Sequence, residues 1–313
     1  MRIGFSFSQL SSRILKPLSA WEEAPTFILF VGCLVFWGLA LMLPVGWAGL
    51  GFLILVLSLV LHSSLSHEIL HGHPFRKTWA CTALALVQLG LFIPYLRFKE
   101  QHLAHHHDER LTDPYDDPES NYLDPARWAG LSERMRLLLR VNNTLLGRMV
   151  VGPALGMVHF VAEDLRLIRN GDQHVLRQWL LHLPGVVLVL WLVNLSAMSA
   201  WTYLAACYCA LSVLKIRTFL EHRAHERASA RTVVIEDRGI LAFLFLNNNF
   251  HVVHHMHPQV CWYQLPGLYL AHKDRFLRRN QGYVYRSYGQ IFRSYLLRAK
   301  DPVAHPLWRG SQR

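Results

Sequence analysis

The stretch from Ala24 to Ser66 reads APTFILFVGCLVFWGLALMLPVGWAGLGFLILVLSLVLHSSLS, and it contains no Lys, Arg, Asp or Glu. A second stretch, from Gln178 to Leu214, is equally free of them. Each is about twice the roughly 20 apolar residues that cross a bilayer once. Each is therefore predicted to be a helical hairpin. The first folds into spans near Thr26–Leu43 and Trp47–Leu65, around a turn at Pro44-Val45-Gly46. The second folds into spans near Trp179–Ser196 and Trp201–Phe219. Trp47, Trp179 and Trp201 suit the membrane–water interface. A soluble protein burying these helices would need a larger shell than 313 residues supply. The predicted fold is an all-α integral membrane protein: four transmembrane helices in two hairpins, with a cytoplasmic helical cap.

Lys and Arg set the orientation. The two hairpin turns carry none, whereas the N-terminus carries Arg2, Arg13 and Lys16. Both termini are thus expected on the cytoplasmic side of a multi-pass protein of a bacterial inner membrane. The chain reads as one domain, 1–313. Residues 1–23 form a surface helix, 26–66 and 178–219 the hairpins, and 273–313 a basic cytoplasmic tail. Thr78–Leu96 is also uncharged and 19 residues long. A crossing there would put two histidine clusters on opposite faces, so 78–96 is expected to be re-entrant or interfacial. The net charge of +11 suits anionic headgroups or an acidic electron carrier. No nucleic-acid partner is expected, because no binding motif accompanies the charge. The five cysteines form no C-x-x-C pair and read as small buried residues.

The chemistry lies in the histidines. His67-Glu-Ile-Leu-His71 follows the first uncharged stretch directly. His102-Leu-Ala-His105-His106 and His251-Val-Val-His254-His255 share one spacing, and Glu221-His222 follows the last predicted span. Spacings of three and four put several imidazoles on neighbouring faces of one helix. Imidazole is the commonest side-chain ligand for transition metals. All four groups fall near one predicted interface, so a nitrogen-rich site for two ions is expected there. Packed imidazoles without a metal would each need a hydrogen-bond partner and would repel on protonation.

These clusters resemble those of the integral-membrane fatty acid desaturases and their relatives, the carotenoid hydroxylases and ketolases. The resemblance spans roughly residues 25 to 275. It also rests on Asn247-Asn-Asn-Phe-His251, on Met256-His-Pro258 and on Trp262-Tyr-Gln-Leu-Pro266. It implies a di-iron centre (two Fe ions) held by His67, His71, His102, His105, His106, His222, His251, His254 and His255. His222 matches the ligand that this family places outside its three boxes, and Asn247 matches a position that approaches a metal through water. The implied reaction is O2-dependent oxidation of an unactivated C–H bond. Desaturation of a fatty-acyl lipid is the first reading, and hydroxylation or ketolation of a carotenoid or lipid the second. No haem segment is visible, so a separate ferredoxin- or cytochrome-type electron donor is implied. Ligating imidazoles usually donate their other N–H to an acceptor. Asp108, Glu109 and Asp113 are candidates for that role, with Glu68 and Glu221.

Two other classes compete. His67-Glu68-Ile-Leu-His71 fits the H-E-x-x-H helix of zinc metalloproteases, with Glu68 as general base. That reading leaves the remaining clusters unexplained. A non-catalytic metal carrier or sensor would be expected to place polar groups within its spans, and these stretches have almost none.

Overall fold

The computed structural model describes residues 20–75, 77–106 and 108–308. The predicted surface helix falls, as far as residue 19, outside the described residues. Helix α1 (Ala20–Met42) turns through Val45–Trp47 into α2 (Ala48–Leu70), and the two pack as a hairpin. At Gly51 a Cβ would lie 3.2 Å from the Ala40 carbonyl, so the small residue lets the backbones close up. The helix α2 runs on past the expected span and carries His67 itself; His71 follows as its C-cap.

Thr78–Leu96 is not one helix. It consists of α3 (Thr78–Ala85), an irregular segment, and the start of α4 (Tyr95–His105). Eight residues of helix rise only about 12 Å, far short of a bilayer. The irregular backbone is paired by protein groups. Tyr203 Oη donates to the Leu89 carbonyl at 2.8 Å, and His182 Nε2 lies 2.7 Å from the Leu91 carbonyl. This is the condition under which non-helical backbone is tolerated at membrane depth.

Three more long helices follow: α5 (Gly152–Arg169), α6 (Gln173–Asn194) and α7 (Ala200–Thr218). Asp172 caps α6 by accepting from the His174 and Val175 N–H groups, and Ser199 caps α7 through Thr202 N–H. Gly185 on α6 brings that helix against Val87, where a Cβ would meet backbone at 3.4 Å. Among the described residues, three segments are long and apolar enough to cross a membrane: Ala24–Met42, Val45–Leu70 and Gln173–Asn194. Ile28, Val35, Phe36, Leu53, Leu183, Val187 and Trp191 on them are exposed, as a lipid-facing belt requires. The expected fourth span, α7, is not among these segments. Thr202, Tyr203, Tyr208 and Ser212 lower its hydropathy, and Lys215 and Arg217 end it.

The third helix that carries a histidine cluster, α8 (His251–Met256), lies against the short strand β1 (Val234–Ile235). Val252 N–H donates to the Val233 carbonyl, and Asn249 Nδ2 to the Ile235 carbonyl. β1 pairs in parallel with β2 (Val284–Tyr285). The segment 273–308, expected to belong to a basic tail, is therefore part of the fold. Phe276, Tyr288 and Ile291 are buried, and Lys300 Nζ donates to the His222 carbonyl at 3.0 Å. Its aromatics fill a protein core; apolar spacing alone does not distinguish that from contact with lipid.

Candidate metal centre

The C-terminal ends of α2 and α4 meet α8 and the strand-like residue His222, which bridges Thr232. Nine imidazoles come together there in two groups. His67, His71, His102, His106 and His254 each offer a nitrogen within 4.8 Å of the others. His105, His222, His251 and His255 do the same. These are the nine histidines singled out from the sequence, from positions nearly two hundred residues apart.

Orientation is set from behind the rings. His102 Nδ1 lies 2.9 Å from Glu119 Oε1, and His105 Nδ1 lies 2.7 Å from Asp117 Oδ1. His251 Nδ1 faces Asn248 Oδ1 at 3.3 Å and Glu221 Oε1 at 3.8 Å. Glu221 is fixed in turn by Arg217 at 3.2 Å and by Asn248 Nδ2 at 3.1 Å. With the Nδ1 protons directed at oxygen, the Nε2 atoms of these rings turn toward other imidazoles. His105 and His251 Nε2 lie 2.8 and 3.0 Å from His222 Nε2, and His102 and His106 Nε2 lie 2.9 Å apart.

The residues fit a metal. His222 Nε2 offers either one proton or one lone pair, so it can satisfy only one of the two ring nitrogens beside it. In the other group Nε2 of His67, His71 and His254 is buried without a hydrogen-bond partner. Buried acceptors in that state are costly; a cation satisfies them together. Two nitrogens at right angles about an ion roughly 2.1 Å away stand about 3.0 Å apart, close to the contacts observed. Burial, reinforced by the neighbouring rings, holds His71, His222, His251 and His254 well below the usual imidazole range. They are neutral, as ligands must be. For His105 burial is outweighed by Glu119, Asp117 and Glu221, which push it up to about 9. Glu119 is held well below the carboxylate range, its burial outweighed by His105, His102 and Arg217. The carboxylates thus compensate positive charge at the centre.

The acceptors differ in part from those singled out in the sequence. Asp117 and Glu119 meet the rings, and neither was a candidate. Asp113 Oδ1 instead accepts from the Tyr115 and Asp116 N–H groups, which folds the loop so that 117 and 119 reach back. Glu109 is exposed, and the Asp108 side chain is outside the described residues. Glu221 lies behind His251, whereas Glu68 belongs to neither histidine group and accepts from Trp262 N–H at 2.9 Å. Asn247 Nδ2 donates to the Trp262 carbonyl at 3.1 Å; the neighbouring Asn248, not Asn247, reaches a histidine.

Residues 43–287 fit the family described as Fatty acid desaturase, an interval that contains all nine histidines. No curated protein matches the sequence.

Proposed function

Since the chain belongs to the fatty acid desaturase family, we propose that it is a membrane di-iron oxidoreductase that desaturates a fatty-acyl lipid with O2. The carrying observation is the division of nine imidazoles into groups of five and four with converging nitrogens. In this reading His67, His71, His102, His106 and His254 hold one iron, and His105, His222, His251 and His255 the other. Bound iron supplies the O2 chemistry that removes hydrogen from an unactivated C–H bond.

The protein's own part is orientation and shielding. Glu119, Asp117 and Glu221 fix ring tautomers and offset the metal charge. The buried rings keep bulk water from the reacting carbon. Helix α7 serves as a fourth span beside the three apolar ones. The site then faces the cytoplasm at the membrane surface, where an acyl chain enters from the bilayer and a separate ferredoxin- or cytochrome-type protein delivers electrons to the basic face.

The test is lipid and pigment profiling of cells with and without the gene, alongside His254→Ala and His105→Ala. A new acyl double bond that both substitutions abolish, with the protein still in the membrane, is expected. Altered carotenoid polarity with unchanged acyl chains refutes acyl desaturation in favour of ring oxidation. Full activity in either variant refutes the ligand assignment.

A further inference from the structure

A second convergence of ligand-type side chains lies beside the nine-histidine cluster and is not part of it. Glu68, His73 and Cys261 are each buried, with relative exposures of 5%, 3% and 0%. Each offers one donor atom within 4.8 Å of the other two. They come from three places: the end of α2, the turn after Gly72, and the loop that follows α8.

The polar atoms of this trio are poorly matched to one another. His73 Nε2 is buried with no hydrogen-bond partner and stands 3.9 Å from Glu68 Oε1. That separation is too long for a hydrogen bond. Glu68 Oε1 already accepts from Trp262 N–H at 2.9 Å. The other ring nitrogen, Nδ1, lies 3.6 Å from Cys261 Sγ. His73 Nε2 and a carboxylate oxygen therefore face each other in a dry interior, while the sulfur stands nearest the other ring nitrogen, which also has the Gln259 backbone as a hydrogen-bond partner; all three residues still offer a donor atom within 4.8 Å of the others. Donors around a single zinc-type ion at roughly 2.0–2.3 Å stand about 3.4–3.6 Å apart, so small side-chain adjustments complete a site here.

We propose that Glu68, His73 and Cys261 form a third metal site, separate from the histidine groups, that takes a divalent zinc-type cation. Thiolate, imidazole and carboxylate together suit a borderline-soft ion. Binding releases the Cys261 thiol proton to solvent and leaves the ion coordinated by sulfur. Its role is that of a staple. Glu68 adjoins His67, and Cys261 lies seven residues beyond His254, so the ion ties the first histidine helix to the third.

The two histidine groups contain no sulfur, and this makes the site separately readable. The full-length protein, purified in detergent and stripped of metal, is reloaded with Co2+. A thiolate-to-cobalt charge-transfer band in the near ultraviolet is expected, with three ions bound per chain. Cys261→Ser should lose the band and one ion, and His73→Gln should lose one ion, each keeping the other two. Absence of the band from the unsubstituted protein overturns the proposal without recourse to any variant, and so does a band that survives in Cys261→Ser. Two ions per chain with no band would identify a hydrogen-bonded trio instead.

Discussion

Replacing Glu119 by Gln removes a charge while keeping the side chain's length. Glu119 lies near rings of both groups: Oε1 is 2.9 Å from His102 Nδ1, and Oε2 is 3.9 Å from His105 Nε2. Gln retains an acceptor for His102 but loses the negative charge. A hydrogen bond to a charged partner contributes about 1.5–3 kcal/mol, a neutral one about 0.5–1.5. The difference is roughly 1–1.5 kcal/mol, or about tenfold in metal affinity. Glu119 is 28% exposed at its side chain, which puts the effect at the lower end of the 10–100-fold known for carboxylates behind metal-bound histidines. The assay is metal retained per chain against a graded competing chelator, with helicity followed by circular dichroism. Asp113→Asn is the control. It lies on the same loop, touches no histidine of the cluster, and keeps the oxygen that accepts from Tyr115 and Asp116. The reasoning is refuted if Glu119→Gln holds metal as tightly as the unsubstituted protein, or if Asp113→Asn loses as much.

Other perturbations have equally definite outcomes. Arg97 on α4 pairs with Asp164 on α5 at 2.7 Å, both buried, and Trp179 Nε1 donates to the same carboxylate. Asp164→Leu should lower stability by about 3 kcal/mol, because a buried cation loses its partner; Glu100 still faces Arg97 and limits the loss. Thermal unfolding in detergent should show Arg97→Met/Asp164→Leu to be more stable than Asp164→Leu alone, and the opposite order would refute the coupling. Metal-free protein should lose stability as pH falls below about 6.5, the unfolded histidine value. His222, His251 and His254 lie well below it when folded, so the unfolded chain takes up protons that the folded one refuses. Each ring contributes about 1.4 kcal/mol per pH unit until its folded value is reached. His105 acts in the opposite sense: raised to about 9, its contribution is complete below about 6.5 and is lost as pH rises through the folded value. A melting temperature that does not fall from about pH 7 to about pH 5 contradicts this sign. Single alanine substitutions should also be unequal in effect. One in the five-histidine group leaves four donors and one in the four-histidine group leaves three, so metal content should fall further for His222→Ala than for His71→Ala.

Some of this was legible in the chain and some was not, for separate reasons. Long uncharged stretches announce helices because burying a charge in lipid is costly, and α1, α2 and α6 follow from that directly. Eight of the nine histidines were legible through spacing, a local property, and His222 through the resemblance to a family that places one ligand outside its three boxes. The carboxylates behind them were not. Proximity favoured Asp108, Glu109 and Asp113, but the Asp113 turn folds the loop back so that Asp117 and Glu119 arrive. His73 and Cys261 are 188 residues apart, and no local pattern links them. The burial of Phe276 and Tyr288 in a region that reads as a basic tail was not legible, because sequence records that a residue is apolar and not what covers it.

The H-x-x-H-H spacing itself accounts for two groups of imidazoles in place of one. At 3.6 residues per turn, position i+4 lies about 40° to one side of position i, and i+3 about 60° to the other. On α4, His102 and the adjoining His106 enter one group, and His105 enters the second. On α8, His251 and His255 enter the second group, and His254 enters the first. In both cases i and i+4 stay together while i+3 diverges. Adjacent histidines thus enter different groups, and each helix contributes to both. The two helices do so in opposite sense, two-plus-one against one-plus-two, and each group receives three nitrogens from them. His67 and His71, themselves i and i+4, complete the first group, and His222 completes the second. A uniform i, i+4 repeat would crowd all the imidazoles into one group; the displaced i+3 position makes room for the second.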